Sequence, residues 1–208
     1  MSINTMCSWS GGKDSCFALM NAMSGDYKPV VSLNMMNENG EISRSHGLPH
    51  AILDRQARAM NLPIIKVPAT WNDYEKKYIE NLRNLTGKYH LEAAVFGDID
   101  LQAHREWEEK VCDVAGITAV LPLWGKNRKE LVYEMIDREI HAIIVSCNTM
   151  IGEQFLGQRI TKELVDELER MGIDVCGENG EYHTAVINCP LFYDKIELPV
   201  FDKITHKD

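Results

Sequence analysis

The feature that most constrains the fold of this chain is a short apolar strand that runs into a glycine-rich turn and then a helix. The strand ends near Ser8, the turn is Ser10–Ser15 (Ser-Gly-Gly-Lys-Asp-Ser), and the apolar residues of the helix begin at Phe17. Backbone N–H groups are accessible in such a turn because glycine has no Cβ, and the N-terminus of the following helix adds partial positive charge. The sequence therefore predicts an anion site, at which Lys13 supplies a mobile, solvated positive charge.

The turn differs from the Walker A loop, which also combines a Gly-Lys pair with a preceding strand. That loop has a glycine five residues before the glycine of the pair and a Ser or Thr after the lysine; here Cys7 and Asp14 occupy those positions. The string resembles instead the PP-loop of the N-type ATP pyrophosphatases, which cleave ATP between its α and β phosphates. The resemblance implies ATP as cofactor and all six turn residues as its binding residues: Ser10, Gly11, Gly12, Lys13, Asp14 and Ser15.

Strand and helix patterns alternate through about the first 120 residues, as in a parallel sheet with helices on both faces. Beyond Trp124 and Gly125 the pattern becomes irregular and is interrupted by glycines. We therefore predict an α/β fold with a doubly wound parallel sheet of the adenine nucleotide α-hydrolase type. Residues 1–122 would form the ATP-binding domain, and residues 123–208 a smaller α+β subdomain on the substrate side.

A second informative segment lies near the C-terminus and is rich in acidic residues and glycine. Glu178–Thr184 (Glu-Asn-Gly-Glu-Tyr-His-Thr) has the composition of an ordinary hairpin turn. Together with Cys189–Phe192 (Cys-Pro-Leu-Phe), however, it resembles the C-terminal signature of the diphthine–ammonia ligase family. Val95–Ile99 and Pro122–Trp124 resemble further blocks of that family. The chain departs from the family pattern at Asn179, where Gly is commonest, and at His183, where Glu is common.

The resemblance implies an amide synthesis in two steps. A carboxylate attacks the α phosphate of ATP, pyrophosphate leaves, and ammonia then displaces AMP from the acyl-adenylate. In the archetypal members the acceptor is diphthine, a modified histidine of elongation factor 2. Since residue 2 is Ser and not the Cys of an N-terminal glutaminase, we expect free ammonium or a partner to supply the nitrogen.

The side chains expected to act in this chemistry follow the strands of the predicted sheet, because ligands bind beyond the carboxyl ends of parallel strands. Asp98 is expected to hold Mg²⁺ or order the nucleotide, with Asp14 as a second metal candidate and a helix N-cap as the alternative role for Asp98. The expected catalytic residues are Lys13, Asp98, Glu178, Glu181 and His183, the last three on the acceptor side. The nucleotide contacts expected outside the turn are Leu33 and Met35 at adenine, His46, Gly97 and Arg105; Arg105 could instead pair with Glu109.

The composition of the chain argues against several kinds of partner, location and cofactor. The formal net charge of −9 and the lack of a basic stripe argue against a nucleic-acid partner. No segment reaches the roughly 18 consecutive apolar residues of a membrane span, and no signal peptide is recognisable, so we expect a cytoplasmic protein. Six scattered cysteines without a Cys-x-x-Cys pair fit a reducing compartment and argue against a structural metal. A homo-oligomer is left open.

Two other functions fit the same turn. One is a PP-loop enzyme that adenylates tRNA, although the basic modules and extra cysteines typical of such enzymes are not evident. The other is a regulatory module that binds ATP or AMP without turning it over.

Overall fold

The fold consists of a five-stranded parallel sheet and a separate two-stranded antiparallel sheet, seen in a computed structural model that describes residues 2–198, 203 and 204. The strand order of the large sheet is β3-β2-β1-β4-β5, and β6 pairs with β7. The strands are β1 (Ile3–Ser8), β2 (Tyr27–Met36), β3 (Ile64–Pro68), β4 (Ala93–Val95), β5 (Thr118–Val120), β6 (His141–Cys147) and β7 (Tyr182–Asn188). The helices are α1 (Lys13–Met23), α2 (His50–Ala59), α3 (Tyr74–Tyr89), α4 (Gln102–Ala115), α5 (Arg128–Asp137) and α6 (Lys162–Arg170), with one 3₁₀ turn at Glu153–Phe155.

The central strand β1 contributes to hydrophobic cores on both faces of the large sheet. Met6 packs with residues of α3 and α4, whereas Cys7, the next residue, packs with residues of α1 and α2. Successive side chains of a strand point to opposite faces, and both faces of a parallel sheet are covered by helices, so Met6 and Cys7 are both buried and apolar. These features confirm the predicted α/β class with its smaller α+β part.

The C-terminal part of the chain shares the core on the α1 face. Phe17 of α1, Leu131 of α5, Val165 of α6 and Val186 of β7 are all buried members of one cluster. A single apolar core therefore continues across residue 122. The division into domains at that residue stays a prediction.

The length and the apolar content of the helices bear on the question of a membrane span. Within the described ranges, none of the helices combines the length and the apolar character that crossing a membrane requires.

Candidate active site

The carboxyl ends of β1, β2 and β4 open into a cavity of about 580 Å³. Its volume lies in the range of small-molecule sites, and it occupies the place where parallel sheets bind ligands. Residues on both sides of residue 122 line the cavity. The lining residues predicted from the sequence are Ser10, Lys13, Asp14, Ser15, Leu33, Met35, His46, Gly97, Asp98, Glu178 and His183.

The glycines of the turn are required by close packing. Gly11 has a φ of +89°, which favours glycine, and Gly12 is the N-cap residue of α1. A Cβ on Gly12 would lie 2.3 Å from Cε1 of His46, and a Cβ on Gly97 would lie 2.8 Å from the backbone nitrogen of Ser15. The absence of side chains thus lets the end of β4 and the His46 loop approach the N-terminus of α1.

Strand β7 holds the PP-loop in place. The backbone N–H of Lys13 donates to Oγ1 of Thr184 at 3.1 Å, and that of Val186 donates to the Gly11 carbonyl at 2.9 Å. The Gln56 amide donates to the carbonyls of both Gly11 and Val186 at 2.9 Å. The loop is therefore positioned by the C-terminal part as well as by its own strand and helix.

The side chain of Lys13 is buried and engaged, so the prediction of a mobile, solvated lysine is wrong. Its residue is only 2% exposed, and Nζ donates to both carboxylate oxygens of Asp14 at 3.0 and 2.9 Å and to the Cys176 carbonyl at 2.5 Å. It also lies over the Tyr182 ring at 5.4 Å. Although burial alone would lower it, the pKa of Lys13 is raised by the Asp14 carboxylate, so the ammonium stays charged. The Asp14 carboxylate thus fixes the Lys13 side chain, and this contact is the reason why a carboxylate lies next to the predicted anion site.

Asp98 lies in a chain of hydrogen-bonded groups with two residues of α4. Nδ1 of His104 is 2.7 Å from Oδ1 of Asp98. Burial and the neighbouring Asp98 raise the pKa of Glu108 to about 11, so Glu108 is protonated at neutral pH and shares its proton with Asp98. Burial opposes ionisation of Asp98, but hydrogen bonds from His104 and Glu108 outweigh it and lower the pKa of Asp98. The alternative role of Asp98 as a helix N-cap is wrong, because Leu101 is the N-cap of α4 and no side chain caps that helix.

Three further titratable groups line the cavity: Glu178 and His183 of the expected acceptor side, and His46, an expected nucleotide contact. Burial, together with the negative charge of Asp14, raises the pKa of Glu178 to about 7. His46 lies 4.8 Å from the His183 ring, and its Nδ1 is 2.7 Å from the Thr184 carbonyl. Burial and the nearby His183 lower the pKa of His46 to about 3, and burial also lowers the pKa of His183. Both imidazoles are neutral at pH 7, so they offer hydrogen bonds to a ligand and not positive charge.

The structure does not bring Glu181 and Arg105 into the cavity. The Glu181 carboxylate accepts from the backbone N–H and side-chain amide of Asn179, both at 3.1 Å. Arg105 donates to Glu109 at 2.7 Å and lies over the Trp124 ring at 5.1 Å. The helical ion pair considered for Arg105 is therefore present, and no ligand role for either residue follows from its position.

Sequence reasoning missed several cavity residues. His104 and Glu108 are four residues apart on α4 and face Asp98, and this helical spacing could have identified them. Thr184 and Cys176 carried no such signal, because they act through tertiary contacts with Lys13. Asn34, also on the cavity wall, donates to the Trp9 carbonyl at 2.7 Å.

Within the described part of the chain, no three His, Cys, Asp or Glu side chains are grouped as metal ligands. Asp14 and Asp98, the metal candidates predicted from the sequence, line the same cavity as Glu108 and Glu178.

Comparisons with known proteins cover nearly the whole chain. The family description "Diphthamide synthase N-terminal domain" matches residues 3–119, and "Diphthamide synthase C-terminal domain" matches residues 127–208. The diphthine–ammonia ligase of Danio rerio is 28% identical, covering 96% of this chain and 88% of the relative. That of Bos taurus is 27% identical, covering 95% of this chain and 83% of the relative.

One solved structure is also similar, a predicted subunit of tRNA methyltransferase from Methanocaldococcus jannaschii. It is 15% identical, covers 90% of this chain and 98% of its own, and has a TM-score of 0.49. No conclusion about activity follows from a likeness of that size.

Proposed function

Because the chain belongs to the diphthamide synthase family and is an ATP-dependent ligase of that family, we propose that it adenylates the carboxylate of diphthine and transfers ammonia to it. AMP and pyrophosphate would be the other products. The observation that carries this proposal is the meeting of Lys13, Asp98 and Glu178 in one cavity at the PP-loop.

The charges of the cavity support a bound metal. Its carboxyl groups are Asp14, Asp98, Glu108 and Glu178, and Lys13 is its one lysine. Glu108 is protonated at neutral pH, but the carboxylates of Asp14 and Asp98 and the partly ionised Glu178 would repel ATP alone. They suit ATP together with Mg²⁺, which binds one or two carboxylates plus substrate phosphates. We propose Asp14 and Asp98 as these carboxylates. A bound Mg²⁺ would neutralise charge that develops on the pyrophosphate.

In the first step the PP-loop would bind the β and γ phosphates. The N-terminus of α1 and the Lys13 ammonium supply positive charge where pyrophosphate departs, so they stabilise the transition state more than bound ATP. Lys13 must then exchange its contacts with Asp14 and the Cys176 carbonyl for phosphate oxygens. Ser10, Ser15 and Gly97 line the cavity with Lys13 and would lie beside the same phosphates.

In the second step Glu178 would accept a proton as ammonia attacks the acyl-adenylate. A base acts best when its pKa is near the working pH, and the pKa of Glu178 is about 7. His183 remains a candidate hydrogen-bond partner of the acceptor on the same side. Free ammonium is the proposed nitrogen source.

The cavity wall also suits the quaternary ammonium of diphthine. Tyr74 and Trp107 line it, as does the carboxylate of Asp98. Aromatic faces and carboxylates both attract a methylated ammonium group. Trp71, which is 76% exposed, lies where a protein-borne acceptor would reach the site.

A cytoplasmic setting agrees with this chemistry and with the cysteines. All six cysteines of the chain are free thiols, as is usual where the surroundings are reducing. We propose a cytoplasmic enzyme that takes elongation factor 2 as its macromolecular partner and keep a homo-oligomer as a possibility for sedimentation to decide.

The test is product analysis with ATP, ammonium and elongation factor 2 bearing diphthine. Pyrophosphate release should require the acceptor, AMP release should require ammonium as well, and with both present AMP, pyrophosphate and amide should form in equal amounts. The Asp98→Asn variant should lose this activity, whereas Glu80→Gln, an exposed change on α3, should keep it. AMP binding without pyrophosphate exchange would favour a regulatory module, and AMP formation that requires tRNA would favour a tRNA-modifying enzyme.

A further inference from the structure

Arg128, the first residue of α5, joins two carboxylates from two segments that contribute residues to the cavity, the loop of Asp98 and the segment of Glu178. Its guanidinium donates to both carboxylate oxygens of Asp100, from Nε at 2.8 Å and from Nη2 at 2.6 Å. Its third nitrogen, Nη1, donates to Oδ2 of Asp174 at 2.5 Å. The Arg128 side chain is 26% exposed and that of Asp174 only 10%. The planar fork of arginine is the group that can hold two carboxylates in this way.

Asp174 in turn holds the segment that carries Glu178. The backbone N–H of Cys176 donates to its Oδ1 at 3.1 Å, and that of Glu178 donates to its Oδ2 at 2.8 Å. The Cys176 carbonyl is the group that accepts from Nζ of Lys13, at 2.5 Å. The position of this segment therefore sets the position of the Glu178 backbone and of the Lys13 ammonium.

Asp100 connects the same guanidinium to the loop that carries Asp98. It follows Asp98 by two residues in the loop between β4 and α4. The backbone N–H of Gly125 donates to the Ile99 carbonyl at 2.8 Å, so this loop is also fixed from the side of α5. Arg128 thus spans from the Asp98 loop to the Glu178 segment.

The place of Arg128 in its helix conflicts with local electrostatics. The N-terminus of a helix carries partial positive charge, so an arginine in the first turn of α5 is unfavourable by itself. Asp100 and Asp174 neutralise it here. A residue that breaks a local rule and is compensated by tertiary contacts is a candidate for a role in function.

We propose that Arg128 is a positioning residue for this ligase: it fixes the 174–178 segment against the Asp98 loop and so places Glu178 for the second chemical step. The assignment rests on the proposed function. Arg128 is not itself in contact with the reacting atoms. The backbone bonds from Lys13 to Thr184 and from Val186 to Gly11 hold the PP-loop without it, so nucleotide binding does not depend on Arg128.

The kinetic test compares Arg128→Ala with Lys129→Ala, a neighbour whose ion pairs to Asp166 and Glu169 lie on the surface of α5 and α6. Arg128→Ala should lower kcat by about tenfold to a hundredfold, while KM for ATP changes by less than about threefold. The kcat of Arg128→Lys should lie between those of Arg128→Ala and the wild type, because lysine keeps the positive charge but lacks the planar guanidinium that binds two carboxylates. Added guanidinium ion should partly restore Arg128→Ala, an effect that general destabilisation would not produce. An equal loss with Lys129→Ala, or a parallel change in kcat and KM for ATP without rescue, would overturn the assignment.

A second measurement does not depend on turnover. Hydrogen exchange of the Cys176 and Glu178 amides should be about tenfold faster in Arg128→Ala than in wild type, while the Val186 amide of β7 keeps its protection. Unchanged exchange at Cys176 and Glu178 would refute the positioning role even if the ligase activity is confirmed. If the wild type makes no AMP with any acceptor, the proposed function fails, and this measurement still decides whether Arg128 holds the segment.

Discussion

At the scale of the residue, the ion pair between Lys13 and Asp14 is the centre of the site. Both groups lie in the turn that resembles a PP-loop, and the lysine is 2% exposed. The carboxylate keeps the ammonium charged and holds it at the mouth of the loop. The same contact means that phosphate must compete with Asp14 for the lysine, which favours a metal that occupies the carboxylate when ATP binds.

Removing the lysine should therefore affect stability as well as activity. Lys13→Ala should abolish pyrophosphate formation and lower the free energy of unfolding by about 3 kcal/mol, because it leaves Asp14 without its buried partner. Lys66→Ala is the matched control, since its pair with Asp54 is more exposed, and it should cost less than about 1 kcal/mol. Chemical denaturation gives both values. Equal stability of Lys13→Ala and wild type would show that the lysine is not held as described.

The raised pKa of Glu178 predicts a dependence of stability on pH. Below its ordinary pKa of 4.5 the carboxyl is protonated in the folded and the unfolded chain, whereas between that value and about 7 only the unfolded chain loses the proton. The contribution of Glu178 to the free energy of unfolding therefore falls as pH rises through this window and is level above it. Relative to wild type, Glu178→Gln should gain about 2 kcal/mol between about pH 5 and about pH 8, after allowance for partial exposure.

Denaturation at the two pH values measures this difference. Glu80→Gln, which alters an exposed carboxylate on α3, should change the free energy by less than about 0.5 kcal/mol at both. If Glu178→Gln tracks wild type at both pH values, Glu178 ionises in the folded protein as it does in the unfolded chain, and its role as a base near neutral pH loses its support.

At the scale of the element, the approach of β4 to α1 determines the geometry of the phosphate site. Gly97, two residues beyond the end of β4, lies against the backbone of Asp14 and Ser15. No side chain fits between them. The N-terminus of α1 can therefore face the cavity together with Asp98 only because residue 97 is glycine.

Adding one methyl group there should disturb this contact. Gly97→Ala should lower the free energy of unfolding by about 1–3 kcal/mol and weaken ATP binding, because its Cβ meets backbone atoms that have nowhere to move. Gly87→Ala, in the interior of α3 with no heavy atom within 4 Å of its Cβ, should instead stabilise the protein by about 0.5–1 kcal/mol. Calorimetry and a nucleotide-binding titration check both variants. Unaltered ATP affinity in Gly97→Ala would mean that this contact does not shape the site.

At the scale of the whole molecule, the PP-loop depends on both parts of the chain. Thr184 and Val186 bond to its backbone, the Cys176 carbonyl bonds to its lysine, and α1 packs in one core with α5 and α6. A nucleotide site shared in this way couples the acceptor side to the ATP side.

A fragment of residues 1–122 should therefore fail to bind ATP, although it contains the complete PP-loop motif. It would expose the apolar face of α1 around Phe17 and leave the Gly11 carbonyl without its Val186 partner. Adding residues 123–208 as a second fragment should restore binding. Circular dichroism and a fluorescent ATP analogue measure the outcome, and tight binding by the first fragment alone would contradict a shared site.

The fold was predictable from the sequence because alternating apolar strands and amphipathic helices identify a parallel sheet. The place of the site followed, since ligands of such sheets bind at the carboxyl ends of strands. The burial of the Lys13 side chain could not be predicted from the sequence, because it depends on Cys176 and Tyr182, more than 160 residues away. Glu181 and Arg105 differ from Lys13, because their partners Asn179 and Glu109 are local. The sequence offered the pair with Glu109 as an alternative for Arg105 but could not decide between it and a place in the cavity.

The central claim is that the carboxylate of the acceptor becomes an acyl-adenylate. The most direct test uses elongation factor 2 whose diphthine carboxylate is labelled with oxygen-18, together with ATP, Mg²⁺ and ammonium. If the acyl-adenylate forms, AMP should contain one labelled oxygen for each amide formed, and pyrophosphate should contain none. Label in inorganic phosphate with ADP as the product, or amide formation that leaves AMP unlabelled, would contradict it.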